Sequence, residues 1–493
     1  MSSAKSYLRS DAGPLLAAGA VFVLLVAVSG RYGYHRDELY FLAAGHHLAW
    51  GYPDQPPFVP ALARVMSALA PGSLPVLRLP SALASAADVL ITARLAREFG
   101  ASRGGQTLAA VAMATAPFVL GAGHLTSTAT FDLLAWAALL YLVVRILRTG
   151  NDRIFVITGF VAGIGLMDND LVAFLLAGLA VGVLISGPRT LFRSPWLWIG
   201  VAIAVAIWTP YIVWQGQNGW PELTVSRSIA SGASGSSTPR WALLPFQLFL
   251  ANVWLAPVWI GGLRRLFRDS EIRWAHSIGC CWLFLVVVFT AAGGKAYYLT
   301  GMLAVLLAAG AQPALDWARR KPGRLRGWMI GAGIATLVAL PITLPLVPLS
   351  HLQKSGVVGA NYDAGETVAW PTYVDEIAAV YHRMTERGVD ILASNYGEAG
   401  AVDRYGPARG LPNAYSGNMG FWWWGPPPAR SAAVVVIGYD RAYLLRLFEQ
   451  CDAGTRLDNH LDLDNDEQGQ LVWACSGMRA DWATIWPQLK SVG

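Results

Sequence analysis

Apolar runs of about 16 to 23 residues recur along most of the chain, broken by short connections rich in arginine. Eleven can be marked, at roughly 14–29, 78–97, 104–122, 130–147, 153–167, 171–187, 196–214, 243–262, 275–293, 297–313 and 327–349. Runs of that length span the hydrocarbon core of a bilayer as helices, so the pattern predicts an α-helical polytopic membrane protein. The first run lacks a small-residue cleavage site and leads into a charged loop, which marks it as a retained span. Small residues are frequent within the runs and allow close helix contacts.

Two connections break the rhythm. Residues 30–77 form a long loop with two amphipathic stretches, Leu39–Trp50 and Phe58–Leu69, either side of Gly51-Tyr-Pro-Asp-Gln-Pro-Pro57. They read as short helices lying at the membrane interface. Residues 215–242 hold Asn218-Gly-Trp-Pro221, Arg227 and the Gly/Ser stretch Ser231–Ser237, which reads as a linker. After residue 349 the pattern changes to that of a small α/β domain. Helices are expected at Pro371–Gly388 and Arg441–Gln450, and buried strands at Asp390–Ala393 and Val434–Ile437. Two units follow: a membrane module over 1–349 and a separate domain over 350–493.

Composition agrees. Of 493 residues, 54% are hydrophobic and 14% charged, where a soluble chain carries roughly a quarter charged. The net charge of +6 conceals two opposite halves. Residues 1–349 hold 26 Lys/Arg against 14 Asp/Glu, while 350–493 hold 11 against 17. Nineteen of those 26 bases fall in alternate connections, from Lys5 and Arg9 to Arg319-Arg320-Lys321, Arg324 and Arg326. The positive-inside rule assigns that side to the cytoplasm, so an odd number of spans leaves 350–493 extracytoplasmic in a plasma or inner membrane. The basic excess is a topology signal; no basic face with interleaved aromatics suggests nucleic-acid binding. Cys280 and Cys281 lie in a span, whereas Cys451 and Cys475 could form a disulfide in an oxidising compartment. The 350–493 region has no glycine-rich phosphate loop, and Asp462–Glu467 lacks the glycine and final glutamate of a calcium loop. It reads as an acidic surface turn.

With that topology, ionisable residues gather at the outer ends of the spans. Asp37 and Glu38 follow the first, flanked by Arg31, His35 and Arg36. His124 and Asp132 face each other across one turn, Asp168 and Asp170 flank another, and Lys295 precedes Tyr297 and Tyr298 in a third. Charges at that depth within a bundle usually mark a substrate or ion path. Ordinary structural roles compete: a helix cap for Asp132, a solvated turn for Asp168 and Asp170, a snorkelling Lys295. The adjacent His46-His47 pair is poorly directed for one metal. The Asp37-Glu38 pair is hardest to explain as structure.

Tyr34-His-Arg-Asp-Glu-Leu-Tyr40, with Gly51-Tyr52 and Asp54-Gln-Pro-Pro57, resembles the first outer loop of glycosyltransferase family 39, the dolichyl-phosphate-mannose–protein mannosyltransferase-like enzymes of the GT-C fold. Asp132, Asn218–Pro221, Gly294-Lys-Ala-Tyr-Tyr298, Ser394–Gly400 and Trp424-Gly-Pro-Pro427 extend the resemblance to bacterial members. The resemblance implies inverting transfer of a sugar from a polyprenyl-phosphate donor to an acceptor hydroxyl on the outer face. It casts Asp37 as general base, with Glu38 raising its pKa by like-charge repulsion, and Glu38 and Asp132 positioning acceptor or a divalent cation. Lys295, Arg36 or Arg227 would face the leaving phosphate, and Tyr297 and Tyr298 would bind phosphate or sugar. Relatives often carry lysine where this chain has Asp168-Asn-Asp170. A transporter or flippase of lipid-linked glycans is the main alternative; the sequence shows neither the internal repeats nor the broken mid-membrane helices common in transporters. A non-catalytic glycan-binding role for Trp422-Trp-Trp424 is a third.

Overall fold

The computed structural model describes residues 12–232, 237–384, 388–427 and 431–492. Lys5, Arg9 and most of the Gly/Ser stretch lie outside them. Each expected span corresponds to helix. In order these are α1 (Ala12–Val28), then, after the loop helices α2 (Arg36–His46) and α3 (Phe58–Leu69), α4 (Leu74–Glu98), α5 (Arg103–Ala114) with α6 (Pro117–His124), and α7 (Thr128–Thr149). They continue with α8 (Phe155–Leu166), α9 (Leu171–Ser186), α10 (Pro195–Gln217), α11 (Pro221–Ser231) in a connection, α12 (Leu243–Leu250) with α13 (Ala256–Arg268), α14 (His276–Ala292), α15 (Leu303–Arg319) and α16 (Arg324–Thr343).

The expected count of eleven spans needs qualification. Among the described residues six helices are long and apolar enough to cross a membrane, or up to eight if each bent pair is one span. Pro117 starts α6 at a 55° bend from α5. The expected span 243–262 is bent by 87°, where Asn252 takes a positive φ and its side chain caps the next turn. A polar residue that satisfies the backbone locally, followed by Pro257, breaks the helix there. Residues 296–302 form 3₁₀ turns before α15, so the helix expected from 297 starts later and runs further. Small residues set the closest crossing: at Gly262 of α13 and Gly310 of α15 the backbones leave no room for a side chain. Residues Leu303–Ala311 are all buried, which makes α15 a central strut.

Beyond α16 the chain forms a five-stranded sheet in the order β2-β1-β3-β5-β4. Its strands are β1 (Val389–Ala393), β2 (Ala414–Ser416), β3 (Ala433–Ile437), β4 (Phe448–Arg456) and β5 (Leu471–Met478). β1 pairs in parallel with β2 and β3, while β5 runs antiparallel to β3 and β4. Helices α17 (Trp370–Tyr381), α18 (Tyr396–Tyr405), α19 (Met419–Trp424), α20 (Arg441–Leu447) and α21 (Trp482–Leu489) complete the domain. The expected helix Arg441–Gln450 stops at Leu447, and Phe448 begins β4. Cys451 and Cys475 are joined by a disulfide between directly opposed positions of β4 and β5.

One packing feature governs the site. Leu39, Tyr40 and Phe41 of α2 and Val59 of α3 share a core with Trp370, Ile391 and Val402 of the α/β domain. Each large apolar side chain buried there contributes about 1.5–3 kcal/mol. The 30–77 loop is therefore held between the helical bundle and the α/β domain.

Candidate functional site

The site begins at the first turn of α2, three residues earlier than the amphipathic pattern indicated. His35 is the N-cap: its Nδ1 accepts from the Asp37 amide at 3.2 Å, and its own amide donates to Glu38 Oε2 at 2.9 Å. This reciprocal cap satisfies amides that a helix start leaves open, and places both acids near the positive end of the dipole.

The two acids then diverge. Glu38 is fully buried and accepts from Arg78 Nε at 2.8 Å, Arg78 Nη2 at 2.7 Å and the Thr126 amide at 2.9 Å. Arg78, on α4, also donates to the carbonyls of Ser29 and Gly33. Glu38 thus ties α1, α2, α4 and the α6–α7 turn together, and its charge is matched by a guanidinium. It is not a free neighbour that repels Asp37, nor an open ligand. That corrects both roles expected of it.

The Asp37 side chain remains 41% exposed. Its Oδ1 accepts from the Tyr396 hydroxyl at 2.7 Å, and its Oδ2 lies 3.7 Å from His35 Nδ1. His35 Nε2 is 3.7 Å from Asp363. Burial opposes charging of His35, but the carboxylates of Asp37, Asp363 and Glu38 outweigh it and push the imidazole up to about 9. The neutral ring caps α2; protonation gives up that acceptor for ion pairs with the same neighbours.

Arg36 points away from this opening. Its guanidinium lies 4.9 Å from the Tyr396 ring and pairs with Asp466 at 2.6 Å and Glu366 at 3.4 Å. A phosphate-binding role for Arg36 is therefore replaced by docking of α2 onto the α/β domain. The 462–467 turn is likewise more than an acidic surface: Glu467 is buried beside this network, where desolvation and then Glu366 drive its carboxyl well above the usual range.

Around the opening, Tyr40 donates to Asp54 at 2.9 Å. Desolvation raises Asp54 to about 7 against the opposing pull of that hydroxyl. The Lys295 charge acts on both Asp54 and Asp363, and its Nζ stands 5.9 Å from the Tyr297 ring. Tyr297 and Tyr298 meet edge to face at 5.2 Å. Asp132, one turn into α7, is buried with Oδ1 lacking a partner among the described residues. Asp170 accepts from Tyr211 at 3.1 Å, and Asp168 is buried with neither oxygen partnered, so neither solvates its turn. Arg227 is exposed on α11.

Arg78, Asp363 and Asp88 escaped the sequence reading, while Asp54 and Tyr396 stood in quoted motifs without an assigned role. Asp88 carried a signal, an acid inside an apolar span; it is buried in α4 with both oxygens unpartnered. No group of three or more His, Cys, Asp or Glu among the described residues could hold a metal ion. With Glu38 engaged by Arg78, the expected Glu38–Asp132 pair does not fit a divalent cation.

This architecture, a polytopic helical bundle capped by a small α/β domain around carboxylates on its first loop, is the GT-C glycosyltransferase fold. It aligns with crystal structures of ArnT from Cupriavidus metallidurans. For the form bound to undecaprenyl phosphate, the TM-score is 0.62 at 14% identity over 94% of this chain and 97% of that one. For the apo form it is 0.60 at 15% identity over 96% and 98%. Residues 54–214 match the family model described as dolichyl-phosphate-mannose-protein mannosyltransferase, which bears out the resemblance read from the sequence. No curated protein sequence matches the chain.

Proposed function

We propose that the protein is an inverting membrane glycosyltransferase. It moves a sugar from a polyprenyl-phosphate-linked donor to an acceptor hydroxyl at the extracytoplasmic face, with Asp37 as general base. The observation that carries this reading is the division between the two acids. Glu38 is consumed by Arg78, while Asp37 stays reachable from solvent and is aimed by Tyr396.

In the reaction, an Asp37 oxygen takes the proton as the acceptor oxygen forms its bond to the anomeric carbon. The bond from that carbon to the phosphate oxygen breaks, and its electron pair leaves with the lipid phosphate. Attack from the face opposite the phosphate inverts the anomeric centre. Lys295, whose charge acts on Asp54 and Asp363, offsets the negative charge developing on the phosphate. Tyr297 and Tyr298 supply hydroxyls and ring faces for the sugar or phosphate, and Asp132 orients acceptor from the bundle side. The undecaprenyl phosphate in the ArnT structure supports a lipid-phosphate donor class here.

The test is sugar release and transfer by the purified full-length protein in nanodiscs, supplied with a panel of polyprenyl-phosphate sugars. Transfer from one donor with inversion is expected. Translocation of glycolipid in vesicles without transfer from any donor would contradict the reading and favour a flippase.

A further inference from the structure

A cavity of about 670 Å³ lies behind α2, on the side away from Asp37. Asp37 and Tyr40 occupy one face of that helix; Leu39, Leu42, Ala43 and His46 line the cavity from the other. The remaining walls come from α3, the 70–73 turn that starts α4, and the end of α18. The volume is in the range of small-molecule sites.

Two of the polar groups in its walls are guanidinium cations. Arg64 of α3 donates to His46 Nδ1 at 3.1 Å and has no other hydrogen-bond partner among the described residues. Arg404 of α18 lies 5.5 Å from the Tyr34 ring and 5.3 Å from the Tyr405 ring. Among the described residues no carboxylate pairs with it. A guanidinium beside two aromatic rings, which themselves meet edge to face at 6.3 Å, keeps donors available to the cavity. The turn is shaped to admit it: Gly72 has φ +74°, and a Cβ there would collide with Arg404 Nη2. Ser73, the N-cap of α4, lines the cavity and makes no side-chain cap; with Pro75 in the first turn, the amides of Leu74 and Val76 are left without one. Asp403 is the one acid in the lining; desolvation pushes it up to about 7, against the Ala414 amide that donates to it. At and below that pH its carboxyl is a donor as well.

Apolar side chains ring this part of the molecule on the outside. Leu48, Trp50, Val65 and Leu69 are 59%, 61%, 52% and 70% exposed. Such exposure on an amphipathic helix next to a membrane bundle fits a lipid interface, not bulk water.

We propose that this cavity is a second binding site, separate from the sugar-transfer site, that recognises a phosphate ester headgroup of a membrane lipid through Arg64, Arg404 and the start of α4. It does not depend on the sugar-transfer reading, because it concerns the opposite face of α2.

Native mass spectrometry of the full-length protein in micelles tests it, with phosphatidic acid, phosphatidylglycerol or diacylglycerol as added lipid and inorganic phosphate as competitor. The phosphorylated lipids should be retained and diacylglycerol should not. Arg64→Gln, an exposed substitution that leaves folding intact, and Arg404→Gln should each weaken retention about tenfold, the scale of one charge-assisted contact. Inorganic phosphate that competes only at far higher concentration than lipid supports the headgroup as source. Competition at equal concentration would support the site but assign it to free phosphate. Equal retention of all three lipids, or unchanged retention by Arg64→Gln and Arg404→Gln together, would overturn the proposal.

Discussion

Asp37 and Glu38 are neighbours in the sequence but occupy different environments, and the difference comes from the helix they begin. Successive residues in a helical turn point about 100° apart, so one acid turns to Arg78 and the other to the opening. Tyr396 then fixes Asp37 from the α/β domain. Tyr396→Phe is expected to lower kcat about tenfold with KM nearly unchanged, since it removes one charge-assisted hydrogen bond but no substrate contact. A fall in KM-dependent binding alone would show that Tyr396 contacts substrate instead. His35 offers a pH test. Its folded value is raised from 6.5 to about 9, so its stabilisation is fully present below pH 6.5 and is lost as pH rises through 9. His35→Asn keeps an N-cap but removes the titration. Thermal unfolding in micelles should decline for the wild type between those pH values and stay level for the variant; parallel curves would contradict it.

At the scale of elements, the Glu38–Arg78 pair joins three helices and a turn inside the protein. Breaking a buried pair from one side costs about 3–5 kcal/mol, because the other charge stays behind. Glu38→Gln and Arg78→Met should each destabilise by that order, and the double variant should cost clearly less than their sum in a denaturant-unfolding cycle. Strict additivity would mean the pair is not coupled. This element also shows what could be read in advance. The spans were legible because apolar length alone decides them, and α3 because its pattern is strongly amphipathic. The start of α2 was not, since histidine is an uncommon cap and a one-turn shift is invisible in a short, weakly patterned helix. Arg78 was hidden because it lies just inside an apolar run, 40 residues from its partner. β2, β4 and β5 were missed for a different reason: β2 is three residues long, and β4 alternates with polar positions on an edge.

Across the whole molecule, the α/β domain completes the opening that α2 begins, through Tyr396 on one side and the acids around Arg36 on another. The positive-inside reading gives that assembly an extracytoplasmic location, and a disulfide in the domain suits an oxidising compartment. Single cysteines test this in intact cells with a membrane-impermeant thiol reagent. Ala442→Cys, exposed in the α/β domain, should react at once; Arg320→Cys, in a basic connection at the other end of the bundle, should react only after the membrane is opened. The reverse pattern would invert the topology and remove the argument for a lipid-linked donor.

The central claim is that Asp37 takes the acceptor proton, and sugar transfer by Asp37→Asn tests it most directly. The variant keeps the size and the Tyr396 contact, so it should stay folded, with a melting temperature lowered slightly by loss of the His35 pairing, and keep donor binding while turnover falls by about 10²–10⁴-fold, the usual contribution of a general base. Turnover within a few-fold of wild type, from a variant shown to be folded and to bind donor, would contradict the account.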